Sequence, residues 1–282
     1  GYLYLSNNKL EFVKKHHFSD LDSLVKLDLR NNAISSIERD SFFSLSNLKF
    51  IDLGDNCLFG LDSSLFLHTP NLATIYLDSN LFKKFDMQSF NNLKKLKNVF
   101  LNGNKIANLD SSVYLESLEG LDLANNNVKQ IDLNVFNSLP MLISLNLNNN
   151  RQIKAKSINN DAFLINLPKL RYLYLNYTSI ELIQLFNFSS FLGLKELCLS
   201  FNSLKPELLV HIPFNRMLFL TKIDLTRANI DQSTIGLLKD NFNYNLAEIM
   251  LSFNQVNFSD GNNQFIYNAR YLTCLLYTSR RG

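Results

Sequence analysis

The chain has 282 residues, 46% of them hydrophobic and 19% charged, with a formal net charge of +3. That apolar fraction is enough for a sizeable core. The charge is small, and no basic stripe interleaved with aromatics is visible, which argues against nucleic acid or an acidic membrane surface as partner. No apolar run reaches the roughly 18 residues of a membrane-spanning helix. The three cysteines, Cys57, Cys198 and Cys274, are too few and too scattered for a disulfide framework or a zinc site. Trp is absent, while Phe (23), Tyr (11) and Asn (39) are abundant. Asn usually gathers in turns, so an excess in an ordered chain implies turns that recur.

In chain order, a partial turn with Leu3, Leu5 and Asn8 comes first. The segment from Leu24 then reads LVKLDLRNNAISSIERDSFFSL, and that from Leu48 reads LKFIDLGDNCLFGLDSSLFLHT. Further turns open at Leu72, Leu96, Leu118, Leu142, Leu170, Leu194, Leu220 and Leu246. Each follows the pattern L-x-x-L-x-L-x-x-N-x-L, which makes about eleven rungs with a usual period near 24. The pattern is the leucine-rich-repeat signature, and ten tandem matches leave almost no room for coincidence.

Each slot has a physical reason. In the L-x-L core the side chains alternate faces, as a strand requires, so Leu27 and Leu29, or Leu121 and Leu123, point inward together. One short strand cannot cover its own apolar face, but the next rung can. Asn8, Asn32, Asn56, Asn80, Asn104, Asn126, Asn150, Asn202 and Asn254 stand where the chain leaves the strand and turns inside the stack. An inward amide supplies both donors and an acceptor for backbone groups that have lost water. Thr178 and Ala228 replace Asn in two rungs, where looser turns are expected. A second column, Phe18, Phe42, Phe66, Phe90, Phe136 and Phe188, with Phe163 after an insertion, forms an aromatic spine on the outer side.

The turns from Leu142, Leu194 and Leu220 are longer. The first carries RQIKAKSINNDAF, a polar loop that either touches a partner or is plain surface. The expected organisation is a solenoid over residues 1–259, truncated at both ends, and an irregular tail over 260–282. The hexapeptide CLLYTS, Cys274 to Ser279, resembles the translated end of an adapter used for sequencing libraries, which leaves residues from Cys274 onward open to being non-native.

The 24-residue rung with its Phe resembles the "typical" leucine-rich repeats of animal extracellular proteins, such as Toll-like receptor ectodomains and chaoptin-like adhesion proteins. The resemblance covers roughly residues 1–258. It implies an α/β repeat solenoid, a horseshoe with a parallel sheet on its concave face and loops or short helical turns on its convex face. It also implies binding of a protein ligand or co-receptor, on the outside of the plasma membrane or in a secreted protein, with membrane attachment only through a segment outside these residues. An intracellular scaffold or regulatory subunit in the cytoplasm is the alternative.

The outward strand positions supply the candidate partner-binding residues: Phe50, Tyr76 and Phe100 on successive rungs, and Tyr172, Tyr174, Tyr177 and Phe201 on two adjacent ones. Exposed aromatic clusters are common interface anchors, although aromatics also simply suit strands. Asn176, Asn187 and Asn257 sit in Asn-x-Ser/Thr sequons and are candidate glycosylation sites, but so Asn-rich a chain produces that many by chance. His16, His17, His68 and His211 lack metal-ligand spacing, and neither a phosphate loop nor a nucleophile elbow occurs. No catalytic residue, cofactor or metal is therefore expected, and Cys198 is expected to be an ordinary surface thiol.

Overall fold

The computed structural model describes residues 1–85, 87–109, 113–131, 134–152, 165, 167–179, 183–184, 186–238, 241–242, 245–256 and 273–274. Two compact units divide the chain, Gly1–Leu142 and Ile143–Gly282. Phe163, Asn257 and the loop from residue 153 onward lie outside the described residues, as does the tail apart from 273–274.

Each predicted rung contributes one three-residue strand. In the first unit these are β1 (Tyr2–Tyr4), β2 (Lys26–Asp28), β3 (Phe50–Asp52), β4 (Thr74–Tyr76), β5 (Asn98–Phe100) and β6 (Gly120–Asp122). In the second they are β7 (Ser144–Asn146), β8 (Tyr172–Tyr174), β9 (Glu196–Cys198), β10 (Lys222–Asp224) and β11 (Glu248–Met250). A two-residue strand, β12 (Thr273–Cys274), pairs with β11. All pairings are parallel and in register. Leu27 lies beside Leu3 and Ile51 in the first unit, and Leu197 beside Leu173 and Ile223 in the second. The middle residue of every strand from Leu27 to Ile249 is at most 2% exposed. Burial of each contributes roughly 1.5–3 kcal/mol, most of it offset by the entropy of ordering the chain, so the rungs are stable only as a stack.

Away from these strands the rungs return through tight turns and short elements. Phe12–Val13 pairs with Ser36–Ile37, and Asn108–Leu109 lies between Lys84–Phe85 and Gln130–Ile131. The extra residues of the rungs from Leu194 and Leu220 form the helices Pro206–His211 and Gln232–Leu238. Pro206 suits the first because a helix start needs no N–H there. Asp231 caps the second, its carboxylate accepting from the Thr234 N–H and from the Ser233 and Thr234 hydroxyls. These donors, the Thr234 hydroxyl first, pull its pKa down to about 2.

The Phe spine is present. Phe18, Phe42, Phe66 and Phe90 stack with centroids 5.9–6.2 Å apart. Phe136 and Phe188 are also buried, whereas the rung from Leu96 carries the buried Val113 in this region. Phe214, fully buried, takes the same role before Leu220 and was not foreseen, because the helix Pro206–His211 lengthens its rung.

The asparagine slot works as a staple between rungs. Asn56 donates from Nδ2 to the Leu53 carbonyl of its own rung and to the Leu29 carbonyl of the rung before, while its Oδ1 accepts from the Ile34 N–H. Asn80 and Asn104 repeat this with Leu53 and Leu58, then Leu77 and Phe82. Asn32, Asn126, Asn202 and Asn254 do the same. Asn150 is fully buried and bonds the Leu147 carbonyl, and Asn8 bonds only within its own rung, to Leu5 and Ser6.

The two substituted rungs keep the turn. The Thr178 hydroxyl donates to the Leu175 carbonyl at 2.7 Å, and Asn254 of the following rung accepts from both the Ala228 and Ile230 N–H groups. The expected loosening is therefore absent from the backbone. Its one trace is the Thr226 hydroxyl beside Ala228, buried with no hydrogen-bond partner.

Replacing Asn104 by Ala strips three backbone groups of partners and is expected to cost roughly 1–3 kcal/mol. Lys105→Ala, at an exposed neighbour, should cost about 0.5 kcal/mol or less. Urea unfolding of the two variants measures the difference, and equal midpoints would contradict the staple.

Candidate functional site

The outward strand positions form two columns whose side chains are not needed for the core. In the column of last strand positions, the polar residues finish the strand. Asp28, Asp52, Asp122, Asn146 and Asp224 each accept from the N–H two residues on, at 2.9–3.1 Å. This is the local turn that Asn and Asp side chains form readily. Tyr4, Tyr76, Phe100 and Tyr174 occupy the same slot and cannot accept such a bond.

In the first unit Tyr76 and Phe100 stack face to face, 4.6 Å apart and 5° from parallel. Phe50 does not join them. It occupies the first strand position, level with Lys26 and Thr74, in the other column. The three-ring cluster expected from successive rungs is thus one stacked pair and one separate ring, because a strand moves its side chains two positions at a time. Nearby, Arg30 is enclosed by carboxylates. It meets Asp78 through two nitrogens at 2.6 and 3.1 Å, Asp55 at 2.6 Å and Asp52 at 3.4 Å. The bond to Asp78 holds its guanidinium in the charged form even more firmly than usual. Burial raises the Asp52 pKa above the ordinary carboxylate range. Gly54 leaves the space this fork requires, since a Cβ there would collide with the Arg30 guanidinium.

In the second unit Tyr174 donates from its hydroxyl to Glu196 at 3.2 Å. Lys222 bridges Glu196 at 3.2 Å and Glu248 at 3.9 Å. Burial first, and then the Glu196 charge, raises the Tyr174 pKa, so the phenol stays neutral. Cys198 differs from expectation. It is 5% exposed, and burial drives its thiol pKa well up. It is neither a surface thiol nor an activated nucleophile. Asn176 lies two residues past β8, where its Oδ1 accepts from the Ser200 N–H at 2.8 Å and its own N–H donates to Asn148 at 2.7 Å. The sequon therefore falls within a second ladder of amides. Asn187 is half-buried. His16, His17 and His211 are exposed, and the half-buried His68 packs edge-on against Phe43 at 4.7 Å.

Tyr177 and Phe201 stand at the edge of the face rather than on it. The residue before each ladder position has positive φ in all eleven rungs, because the chain must turn sharply inward there. In the first seven it is Asn7, Asn31, Asp55, Ser79, Gly103, Asn125 and Asn149. Gly, Asn and Asp are the residues that visit this left-handed region most readily. In the last four it is Tyr177 (φ 51°), Phe201 (58°), Arg227 (50°) and Phe253 (59°). For bulky side chains that conformation costs about 1–2 kcal/mol each. They stack in one column: Arg151 over Tyr177 at 4.5 Å, Tyr177 on Phe201 at 4.1 Å, and Arg227 between Phe201 at 5.5 Å and Phe253 at 4.6 Å. This is a stripe of cations and rings, a feature the linear sequence does not display because its members lie 24–26 residues apart. Reading the slot before the ladder position down the rungs would have found all of it but Arg151, which follows the ladder residue Asn150.

Residues 2–58 and 51–106 match the family model described as leucine rich repeat, and the rungs described above have that repeat's fold. The chain's fold is shared by TLR13 in the TLR13–ssRNA13 complex, over 96% of this chain and 45% of that one, with 21% identity and a TM-score of 0.72. An internalin (inlF) from Listeria monocytogenes aligns over 94% of this chain and 76% of its own, with 19% identity and a TM-score of 0.65. This chain thus spans less than half the length of the TLR13 chain. No curated protein sequence matches it.

The thiols offer a check on this description. With Cys274 replaced by serine, a thiol reagent near pH 8 should label the exposed Cys57 readily and Cys198 only after denaturation. Labelling of both at the same rate in the native protein would contradict the burial of Cys198.

Proposed function

We propose that the chain is a protein-binding module that uses the outward face of its strands, and that it forms part of the ectodomain of a cell-surface receptor or adhesion protein. The observation that carries the binding role is the placement of large aromatic side chains at positions the fold would fill with Asp or Asn. Tyr76 and Phe100 forgo the strand-end bond, and Tyr177, Phe201 and Phe253 occupy a backbone conformation that favours Asn or Gly. Residues that cost stability and cluster at a surface mark contact sites. Phe50 adds to the patch in the unit Gly1–Leu142, and Tyr172 and Tyr174 add to the one in the unit Ile143–Gly282.

A non-enzymatic role is supported by chemistry as well as fold. The buried thiol and the neutral Tyr174 lack the lowered pKa of a nucleophile or general base. The ectodomain reading rests on the 24-residue rung with its Phe spine. One observation favours the cytosolic alternative: Cys57 is exposed as a free thiol, which a reducing compartment keeps in that state. TLR13 was crystallised with an RNA strand, so a nucleic-acid partner is a further outcome to test.

Two experiments test the proposal. A photoreactive residue replacing Tyr76 or Tyr174 should cross-link one reproducible protein in the source tissue, and the same group at Leu67, exposed on the return segment, should not. Equal labelling from both faces, or adducts with RNA only, would overturn the binding role. The sequence flanking this chain in the full transcript settles location. A signal peptide with a downstream apolar helix supports the ectodomain, and an initiator Met directly before the repeats supports the scaffold.

A further inference from the structure

The column Arg151–Tyr177–Phe201–Arg227–Phe253 has a property that Arg30 lacks. Arg30 is surrounded by three aspartates, whereas neither Arg151 nor Arg227 has an ion pair among the described residues. Arg151 lies over the Tyr177 ring and Arg227 between the Phe201 and Phe253 rings, contacts that restrain the guanidinium groups while both residues stay exposed. A fixed, unpaired guanidinium edge is a receptor for a carboxylate, which it can grip through two parallel hydrogen bonds.

The rest of the column narrows the class of partner. Single-stranded nucleic acid binds such stripes by stacking bases on aromatic faces. Here the faces of Tyr177 and Phe201 are already used. Tyr177 is covered by Arg151 on one side and by Phe201 on the other, and Phe201 also faces Arg227. Rings 4.1 Å apart leave no gap for a base. What remains accessible is a row of ring edges between two cationic forks, which suits a peptide backbone with small apolar side chains and two acidic ones. Arg151 and Arg227 are three rungs apart, about 14 Å at the usual strand spacing of about 4.8 Å. An extended peptide advances about 3.3 Å per residue, so acidic side chains four residues apart would match the two forks.

We propose that this column docks an extended acidic segment of the partner protein, with carboxylates four residues apart on Arg151 and Arg227. The proposal rests on the protein-binding reading above and specifies the chemistry of the partner. It also accounts for the bulky side chains at positive φ, since Asn or Gly in those slots would turn the chain more easily but would not brace the guanidinium groups.

The experiment uses the full chain and a short fluorescein-labelled peptide with glutamates four residues apart, alongside its glutamine counterpart, read by anisotropy at low salt. The glutamate peptide should bind about tenfold or more tightly than the glutamine one. Arg227→Gln should remove that difference. Phe201→Gly should also weaken glutamate-peptide binding while leaving the denaturation midpoint unchanged or higher, which separates loss of the brace from loss of the fold. Equal binding of the two peptides, indifference to Arg227→Gln, or tighter binding of a single-stranded RNA that depends on Arg227 would each overturn the proposal. If the peptides fail while Tyr76 or Tyr174 still cross-links a protein, only this partner chemistry is wrong. If both fail, the protein-binding reading falls as well.

Discussion

In most rungs a single side-chain amide holds the rung to the one before it. The ladder asparagine donates to a carbonyl in its own rung and to one in the preceding rung, and accepts from an N–H of that preceding rung. Hydrophobic burial supplies most of the free energy of the stack, but it does not fix distance or register. The amide does both, because its donors and acceptor reach two rungs at once in a setting where an unmet backbone group costs roughly 1–3 kcal/mol. Register in turn makes columns. Once Ile51 is locked beside Leu27 and Ile75, every outward residue has a fixed neighbour in the next rung.

The same constraint explains where this protein departs from its own pattern. To bring the amide inside, the residue before it must adopt positive φ, and the first unit fills that slot with Asn, Asp, Ser or Gly. The second unit instead uses Tyr, Phe, Arg and Phe after its first rung. A left-handed bulky residue costs about 1–2 kcal/mol. An aromatic pair returns about 0.5–1.5 kcal/mol, and an exposed cation–ring contact about 0.5–1 kcal/mol. Summed over four such residues, one ring pair and three cation–ring contacts, the cost is the larger side. Stability alone gives no reason to prefer a stacked column of rings and arginines over a row of asparagines, and so a role at the surface carries the explanation.

Much of the fold was legible because its cause is local and repeats. The Leu positions, the amide ladder and the Phe spine each follow from a period near 24, and their members among the described residues are found where the period places them. Two features of the fold were not legible. Phe214 joins the spine from a rung lengthened by a helix, which shifts the count from the preceding leucine. Cys198 alternates outward on its strand, but neighbouring rungs bury it, and a single strand does not reveal how tall its neighbours are. The candidate site was only partly visible. Alternation identified Tyr76, Phe100, Tyr172 and Tyr174 as outward and set Phe50 in the neighbouring column, where it lies, but it treated Tyr177 and Phe201 as part of the strand face. The arginines went unnoticed, since a column read across rungs has no signature along the chain.

The most direct test of this account is hydrogen exchange at individual backbone amides. The Phe82 N–H donates to the Asn104 side chain rather than to another peptide group. It should exchange as slowly as the core strand amides in the native protein and lose that protection selectively in Asn104→Ala, while amides of distant rungs such as Ile34 keep theirs. If Phe82 stays protected in the variant, or all amides accelerate together, the side-chain staple is not what fixes one rung upon the next.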